Sequence, residues 1–168
     1  MKLPAQKIET AAPKNDARYM LNSVYLNVET SELVVTDGRI LVKHTVEVDD
    51  GDISGIIPLE AFAYARQTKS ERITTSIDDL VATAHVNGAT FPLIDGTYPD
   101  YTKVMPEAGE VTIRLDLTLL EKIRKSLFER TGQTSKCVVS LQITDQNSSV
   151  RIETNDDNVA VIMPCRKM

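Results

Sequence analysis

The chain has 168 residues and a formal net charge of −5 at pH 7, with 42% hydrophobic and 26% charged residues. This composition predicts one ordinary globular domain or two small ones, and it excludes wholesale disorder. The acidic total argues against a surface that is basic throughout, although a single basic face is compatible with it.

The cysteine content and the hydropathy bear on location. Cys137 and Cys165 are too few for a disulfide framework. The first residues contain no apolar signal region, and no stretch reaches the roughly 18 to 20 apolar residues of a membrane-spanning helix. We therefore expect a cytoplasmic protein with reduced cysteines and no membrane partner.

The first part of the chain predicts strands. The first 16 residues carry two prolines and no clear period, which indicates an arm or a short strand and not a helix. Period-two alternation then predicts strands at residues 24–28, 33–35 and 40–48. Asp37 and Gly38 mark the tight turn before the last of these.

The next segment changes period once. Residues 53–57 predict a short strand, and Pro58 suits the first turn of a helix that continues to about Thr68. Its predicted apolar face consists of Leu59, Phe62 and Ala63. Strands are then predicted at residues 73–77, 80–86 and 90–94, with an Asn-Gly hairpin turn between the last two.

The same order of elements returns after a connection rich in proline and glycine. Val111, Ile113 and Leu115 alternate as a strand, and Thr118 and Glu121 have the spacing of a capping box that begins a helix. Strands follow at 137–143, 150–153 and 159–163, with Cys137 expected in the core. The chain thus holds a strand–helix–three-strand unit twice, and an earlier third copy lacks its helix.

The sequence contains no motif of a phosphate-binding loop, a zinc protease or a nucleophile elbow. His44 and His85 lie far apart on predicted strands, where a histidine is usually structural. Three acidic clusters offer a site for Mg²⁺ with a phosphate substrate, but each falls at a turn that aspartate favours, so we interpret them as solvated turns. They are Asp49/Asp50/Asp52, Asp78/Asp79 and Asp156/Asp157. We expect no enzyme, no metal and no cofactor.

Five segments, taken in order, carry a family resemblance. They are residues 17–22 (ARYMLN), 35–41 (VTDGRIL), 56–58 (IIP), 93–101 (LIDGTYPDY) and 161–166 (VIMPCR). Together they resemble the bacterial sliding clamp, the beta subunit of the replicative DNA polymerase. The family's forms are an R-Y-x-L-N run, an ATDGHRL turn, a V-P junction, an L-[IV]-[DE]-G-x-[FY]-P-D-Y segment and a VVMPMR ending.

The resemblance implies an α+β fold of the DNA-clamp type, with repeated β-α-β-β-β units, antiparallel sheets outside and helices on the inner face. Residues 1–106 would form a clamp-like domain similar to the middle clamp domain, with its first helix missing. Residues 107–168 would form half a domain, similar to the last half of the final one. The chain has about half the length of a clamp protomer, so by the number of units a tetramer would close a ring. The reduced size suggests a phage protein.

The resemblance also implies a hydrophobic pocket for the peptides of a DNA polymerase, a clamp loader or other clamp-binding proteins. The matching positions are Leu21, Thr36, Gly38, Arg39, Leu41, Pro99, Lys103, Val104, Val161, Met163, Pro164 and Cys165. Aliphatic side chains would line this groove, and polar groups at the rim would orient the peptide. Cys165 replaces the family's methionine and Ile40 its arginine, so peptide preference is expected to differ.

A second implied feature is a helix surface that faces duplex DNA without reading its sequence. The residues assigned to it are Arg66, Lys69, Arg72, Lys122, Arg124, Lys125 and Arg130. The alternative is that these are ordinary solvated helix faces, since Glu121 can pair with Lys125 one turn later.

The leading interpretation is a processivity factor that encircles DNA as a homo-oligomeric ring and tethers its partners through the pocket. The alternative is a clamp mimic that keeps the pocket, forms no ring and binds the clamp-interacting proteins of a host. The missing first helix and the acidic total favour the mimic, whereas the basic helices favour the clamp.

Overall fold

The computed structural model describes residues 1–107, 109–128, 137–155 and 158–165. The chain divides into two compact units, unit 1 (Met1–Met105) and unit 2 (Pro106–Met168). All three sheets are antiparallel and helices are few, so the α+β fold class is confirmed. Among the described residues, no helix is long and apolar enough to cross a membrane.

Unit 1 contains two sheets and one α-helix. The first sheet has the order β3-β2-β1-β4 and the second the order β5-β6-β7. The strands are β1 (Ser23–Asn27), β2 (Glu32–Thr36), β3 (Leu41–Thr45), β4 (Gly55–Pro58), β5 (Thr74–Asp78), β6 (Val81–Val86) and β7 (Ala89–Pro92), and helix α1 spans Leu59–Thr68. Strand β3 is shorter than the predicted 40–48 stretch.

The four-stranded sheet is buried on both faces, which explains the continuous apolar run in β2. One face, with Leu33 and Val35, packs into the main core together with Phe62 of α1. The other face, with Val34, is covered by Tyr98 and Tyr101 from the segment that follows β7. This second layer brings the motif at residues 93–101 onto the sheet.

Helix α1 approaches the core with a face of small residues. The buried residues are Ala61, Phe62 and Ala65, so the predicted face of Leu59, Phe62 and Ala63 was wrong in part, because Ala63 is exposed. The small alanine side chains allow the helix to pack closely against the main core beside Phe62. The helix ends at Lys69, which adopts a left-handed conformation with φ 54°.

The first residues of the chain form part of the unit 1 sheet structure. Lys2 pairs with Arg72 in an antiparallel bridge, and the Leu3 N–H donates to the Glu71 carbonyl at 2.8 Å. Two 3₁₀ turns, Ile8–Ala11 and Tyr19–Leu21, lie between this segment and β1. The arm therefore pairs with its own chain.

The acidic turn at residues 49–52 is a buried anchor, so its interpretation as a solvated turn was wrong for Asp52. The Asp52 carboxylate is 7% exposed and accepts from the Thr75 and Asp49 N–H groups at 2.9 Å. It also accepts from the amino group of Met1, which Asp49 contacts as well. The carboxylate thus joins the first residues, the turn and β5 at one point.

The described residues of unit 2 form a three-stranded sheet and one helix. Its strands are β8 (Val139–Gln142), β9 (Val150–Thr154) and β10 (Val159–Ile162), in the order β10-β9-β8, and helix α2 spans Leu117–Phe128. The buried core consists of Val150, Ile152 and Ile162. Ile113 and Leu115 pack against this core from the segment before the helix.

Several local predictions for unit 2 were wrong. Residues 111–115 alternate but form no strand, because among the described residues of unit 2 no strand pairs with them to complete a ladder. Helix α2 is capped by Asp116, which accepts from the Thr118 N–H at 2.7 Å, so Thr118 is not the cap and Glu121 is not its capping-box partner. Cys137 is exposed and precedes β8, so it is not a core residue.

We expect Asp52→Asn to lower the free energy of unfolding by about 3 kcal/mol, because the amide would present N–H groups to donors in a buried site. Urea denaturation monitored by circular dichroism measures this loss. Asp50→Asn is the matched control, since Asp50 lies in the same turn and is exposed. Equal stabilities for the two variants would contradict the anchoring role of Asp52.

Candidate functional site

A groove of about 350 Å³ lies in unit 1 at the end of β2. Its walls come from three places: the 3₁₀ turn Tyr19–Leu21, the turn between β2 and β3, and the segment that ends in the 3₁₀ turn Tyr101–Val104. Its lining residues are Arg18, Leu21, Thr36, Gly38, Arg39, Ile40, Leu41, Pro99, Asp100, Tyr101 and Val104.

The turn between β2 and β3 is fixed by its own polar side chains. The Asp37 carboxylate accepts from the Arg39 and Ile40 N–H groups at 2.8 Å, and these hydrogen bonds lower its pKa. The Thr36 hydroxyl donates to the Ile40 carbonyl at 2.6 Å and accepts from the Gly38 N–H at 3.0 Å. The polar groups of the turn are thus satisfied locally, and Ile40 and Leu41 are left to line the groove.

Gly38 leaves room for a guanidinium group at the edge of the groove. It has φ +83°, and a Cβ at this position would lie 2.8 Å from Nη2 of Arg18. Arg18 is held there by the Asp16 carboxylate, with both hydrogen bonds at 2.9 Å. The guanidinium lowers the pKa of Asp16 to about 2, so this pair stays ionised and contributes little net charge to the groove.

Three tyrosines support the floor behind the groove. Tyr25 and Tyr98 stack with ring centroids 5.1 Å apart, and the Tyr101 hydroxyl donates to Glu32 at 3.0 Å. Burial raises the pKa of Tyr98 to about 12. Its hydroxyl lies near the Thr36 backbone but completes no hydrogen bond of normal geometry within the described ranges.

The structure brings together most of the pocket residues that were predicted from unit 1. Lys103 is the exception, because its side chain is exposed and pairs with the Asp100 carboxylate at 3.2 Å outside the groove lining. Ile40, which the sequence analysis linked to peptide preference, lines the groove, and so do Arg18, Asp100 and Tyr101, which it missed. All four lie inside the segments that carried the resemblance, which was the available signal.

The remaining predicted pocket residues belong to unit 2. Val161 lies on β10, and Met163 follows it; both side chains are more than half exposed. Pro164 comes next, and the Cys165 N–H donates to the Arg114 carbonyl at 2.7 Å. A role for these four residues in peptide binding stays a prediction.

A second and larger groove, of about 800 Å³, lies on the other side of the tyrosine cluster in unit 1. Leu80 and Val81 line it at the hairpin between β5 and β6, where Leu80 is 97% exposed. None of the predicted pocket residues except Pro99 contributes to its lining. It provides a natural comparison for the smaller groove.

Two of the basic residues assigned to DNA are engaged within the fold. Arg66 donates to the Glu9 carboxylate at 2.9 Å and to the carbonyl oxygens of Pro4 and Gln6. Arg72 forms an ion pair with Asp49. A DNA phosphate would have to displace these partners. The contribution of both residues to DNA binding therefore stays a prediction, and it would cost the protein these internal contacts.

The basic residues of helix α2 are also partly paired. Arg124 and Lys125 both contact Glu121, at 2.8 and 3.6 Å, and Arg124 holds the pKa of that carboxyl at about 2. Lys122 and Lys69 have no ion pair within the described part of the chain. Arg130 and the acidic residues at 156 and 157 lie outside the described residues.

His85 lies at the centre of a cluster of polar side chains on the sheet β5-β6-β7. Its Nε2 lies 2.7 Å from the Asp78 carboxylate and 3.0 Å from the Ser76 hydroxyl, while Nδ1 faces Thr90 at 3.2 Å. The imidazole on β6 thus joins side chains of both neighbouring strands, Ser76 and Asp78 on β5 and Thr90 on β7. The cluster therefore fits a structural role, and over the described ranges no group of side chains is suited to hold a metal ion.

Comparison with solved structures places this architecture among bacterial beta sliding clamps. The beta sliding clamp of C. crescentus aligns with a TM-score of 0.66 and 24% identity over 94% of this chain and 46% of that chain. The Bacillus subtilis clamp aligns with a TM-score of 0.64 and 23% identity over 94% of this chain and 44% of its own. The Helicobacter pylori beta clamp, solved with a DNA ligase peptide bound, aligns with a TM-score of 0.61 and 20% identity over 94% of this chain and 45% of its own.

The chain thus has the fold of these clamps and spans about half their length. No protein-family model and no curated protein matches the sequence. The resemblance inferred from the short segments is confirmed at the level of the fold. A phage origin stays a prediction.

We expect Tyr98→Phe to remove part of the loss of stability at high pH. The pKa of Tyr98 is raised from 10.0 to about 12 in the folded protein, so only the unfolded chain ionises in between. The stability that this group contributes is complete below pH 10 and is lost as the pH rises towards 12, by up to about 1.4 kcal/mol per pH unit.

Urea denaturation between pH 9 and 12 tests this expectation, and the free energy of unfolding of Tyr98→Phe should fall less steeply than that of the wild type. Tyr19→Phe, at an exposed position, corrects for the general loss of a tyrosine hydroxyl. Parallel curves for wild type and Tyr98→Phe would contradict the burial of the Tyr98 hydroxyl.

Proposed function

We propose that this protein is a sliding-clamp-like processivity factor. It encircles duplex DNA as a homo-oligomeric ring and tethers a DNA polymerase and other partners through the groove in unit 1. The observation that carries the proposal is this groove, because pocket residues predicted from sequence segments far apart in the chain line one cavity in a clamp fold. The protein catalyses nothing and needs no cofactor, since a ring works by topology.

The groove has the size and chemistry for a short hydrophobic peptide motif. A volume of about 350 Å³ accommodates a few aliphatic side chains. Leu21, Leu41 and Val104 supply apolar walls, and Val104 is 68% exposed and therefore available to a ligand. The H. pylori clamp bound to a DNA ligase peptide shows that a protein of this fold accepts a peptide.

The charge at the rim favours a peptide that carries a carboxylate beside its hydrophobic residues. Arg18 is neutralised by Asp16, and Lys103 is paired with Asp100. Arg39 is exposed and has no ion pair within the described ranges. A carboxylate near Arg39 would orient the peptide, whereas the apolar contacts would supply most of the affinity.

The proposed DNA contacts are sparse and not specific for sequence. Lys69 and Lys122 offer charges without partners inside the described fold, and the remaining basic residues exchange an internal partner for a phosphate. Weak contacts of this kind suit a ring that must slide, because strong or base-specific contacts would hold it at one place.

A clamp mimic that forms no ring is the second candidate. The groove lies entirely within unit 1, so it could bind host clamp-seeking peptides without a ring. The two candidates therefore share the groove and differ only in DNA encirclement, which decides between them.

We expect Val104→Asp to weaken binding of a fluorescein-labelled hydrophobic clamp-binding peptide at least tenfold, because a buried carboxylate would face the aliphatic side chains of the ligand. Fluorescence anisotropy measures the affinity. Leu80→Asp is the matched control, since it adds the same charge at an exposed apolar position on the larger groove. A similar loss in both variants, or in neither, would count against the smaller groove as the peptide site.

We expect the wild-type protein to be retained on nicked circular DNA and released when that DNA is linearised. The protein is mixed with DNA at a low concentration that separates subunits and is then concentrated, so that rings close around the duplex without a loader. Gel filtration at moderate salt measures the protein that co-elutes with each DNA. Equal retention on circular and linear DNA indicates simple electrostatic binding, and no retention on either supports the mimic.

A further inference from the structure

Unit 2 is one half of an arrangement that unit 1 shows complete. The second half of unit 1 consists of β4, α1 and the sheet β5-β6-β7. Unit 2 has the same order: the segment 111–115, then α2, then the three strands β8, β9 and β10. In unit 1 this half packs against a first half that contains β1, β2 and β3, whereas the described residues of unit 2 include no such first half.

The two halves of unit 1 are held together by an exchange of strands. β4, which precedes α1, pairs antiparallel with β1 of the first half. In return, the first residues of the chain pair with residues 71–73, which lead into β5 of the second half. The pattern is the same in both halves. The segment that begins each half pairs with the strand region that follows the helix or 3₁₀ turn in the other half.

The segment 111–115 occupies the place in unit 2 that β4 occupies in unit 1. The carbonyl of Ile56 in β4 accepts from the N–H of Ile94, just after β7, at 2.8 Å. The carbonyl of Arg114 accepts from the N–H of Cys165, just after β10, at 2.7 Å. One edge of β4 is thus bonded to the residues after β7, and the corresponding edge of the 111–115 segment is bonded to the residues after β10.

The opposite edge differs between the two units. In unit 1 it is occupied by β1, with the register Tyr25↔Ile56. In unit 2 the backbone groups of Val111, Ile113 and Leu115 have no backbone partner among the described residues. Strand β8 likewise lies at the edge of its sheet, and no described residue pairs with its outer side.

The apolar side chains of unit 2 show the same incompleteness. Helix α2 buries none of its described residues, and Leu117 is 75% exposed. Leu141 lies directly opposite the buried Ile152, and so on the core face, yet it is 48% exposed. By contrast, α1 in unit 1 buries three residues.

We propose that unit 2 is completed by unit 2 of a second copy of this chain. Across a two-fold axis, the segment 111–115 of each copy pairs with β8 of the other, and the two α2–sheet faces cover each other. A second copy is the occupant because the unpaired segment and the open edge lie in the same unit. A single two-fold contact therefore gives the 111–115 segment and the β8 edge a partner in both copies.

This contact specifies one subunit interface of the proposed ring, and in that respect it builds on the proposed function. The dimer itself depends on neither DNA nor the groove of unit 1. It adds backbone hydrogen bonds to an edge that has none and removes from water apolar side chains that the monomer leaves exposed.

Leu141→Asp tests the proposal in the full chain, with Ser140→Asp as its matched control. Leu141 is on the face to be covered, whereas Ser140 is on the opposite face of the same strand. Multi-angle light scattering on a sizing column, over a range of concentrations, should give the wild type and Ser140→Asp a mass of at least two chains. The mass should fall at least twofold in Leu141→Asp.

A second pair of variants addresses the backbone of the 111–115 segment. Val111→Pro removes an N–H that has no backbone partner in the described chain, whereas Val111→Ala keeps it. Only the proline variant should lose the dimer. Hydrogen exchange should also show that the amides of Val111 and Ile113 become protected as the wild-type concentration rises. Circular dichroism identifies any variant that has lost its fold, in which case the other pair decides.

A wild type that stays monomeric at every concentration overturns the proposal, and so does an oligomer that is unaffected by both Leu141→Asp and Val111→Pro. Peptide binding measured on the same samples separates this result from the proposed function. A dimer without peptide affinity contradicts the function alone, and a monomer that binds peptide contradicts the interface alone.

Discussion

The extended segment that begins each half of unit 1 pairs with the other half, and the architecture depends on this constraint. In unit 1, β4 meets it by joining β1, and residues 1–3 meet it by joining residues 71–73. The exchange closes two sheets over one core that includes Phe62. Backbone hydrogen bonds, and not side-chain packing alone, therefore determine which halves belong together.

The same constraint places the groove. Because β4 is fixed at the edge of the four-stranded sheet, Ile94 can bond to Ile56 and direct the following segment across the outer face of that sheet. Tyr98 and Tyr101 then cover Val34, and the 3₁₀ turn that follows reaches the end of β2. The peptide site proposed for this protein is thus a consequence of how the second half is anchored to the first.

The use of the unit 1 groove as a peptide site stays a prediction, although the family resemblance marked most of the residues that line it. The sequence predicted the fold class and most of the order of elements, because alternation and turn residues are local signals. It failed where the outcome depends on distant residues. The alternation at 111–115 is a sound local signal, but a ladder needs a neighbour. Asp52 is buried only because Thr75 and the first residues surround it. Asp116 displaced Thr118 as the helix cap, since both residue types can fill that position.

Two of the three walls of the groove differ in stability. Thr36 ends β2, a central strand whose residues Leu33, Val34 and Val35 are fully buried, so this wall opens only when the whole sheet opens. Another wall is the short turn Tyr101–Val104, which is anchored on the sheet at Tyr101 and ends in the exposed Val104. A peptide bound as proposed would therefore meet a preformed surface at β2 and a more loosely held one at Val104. Such an arrangement would keep the entropy cost of the proposed binding low and would allow rapid exchange of partners.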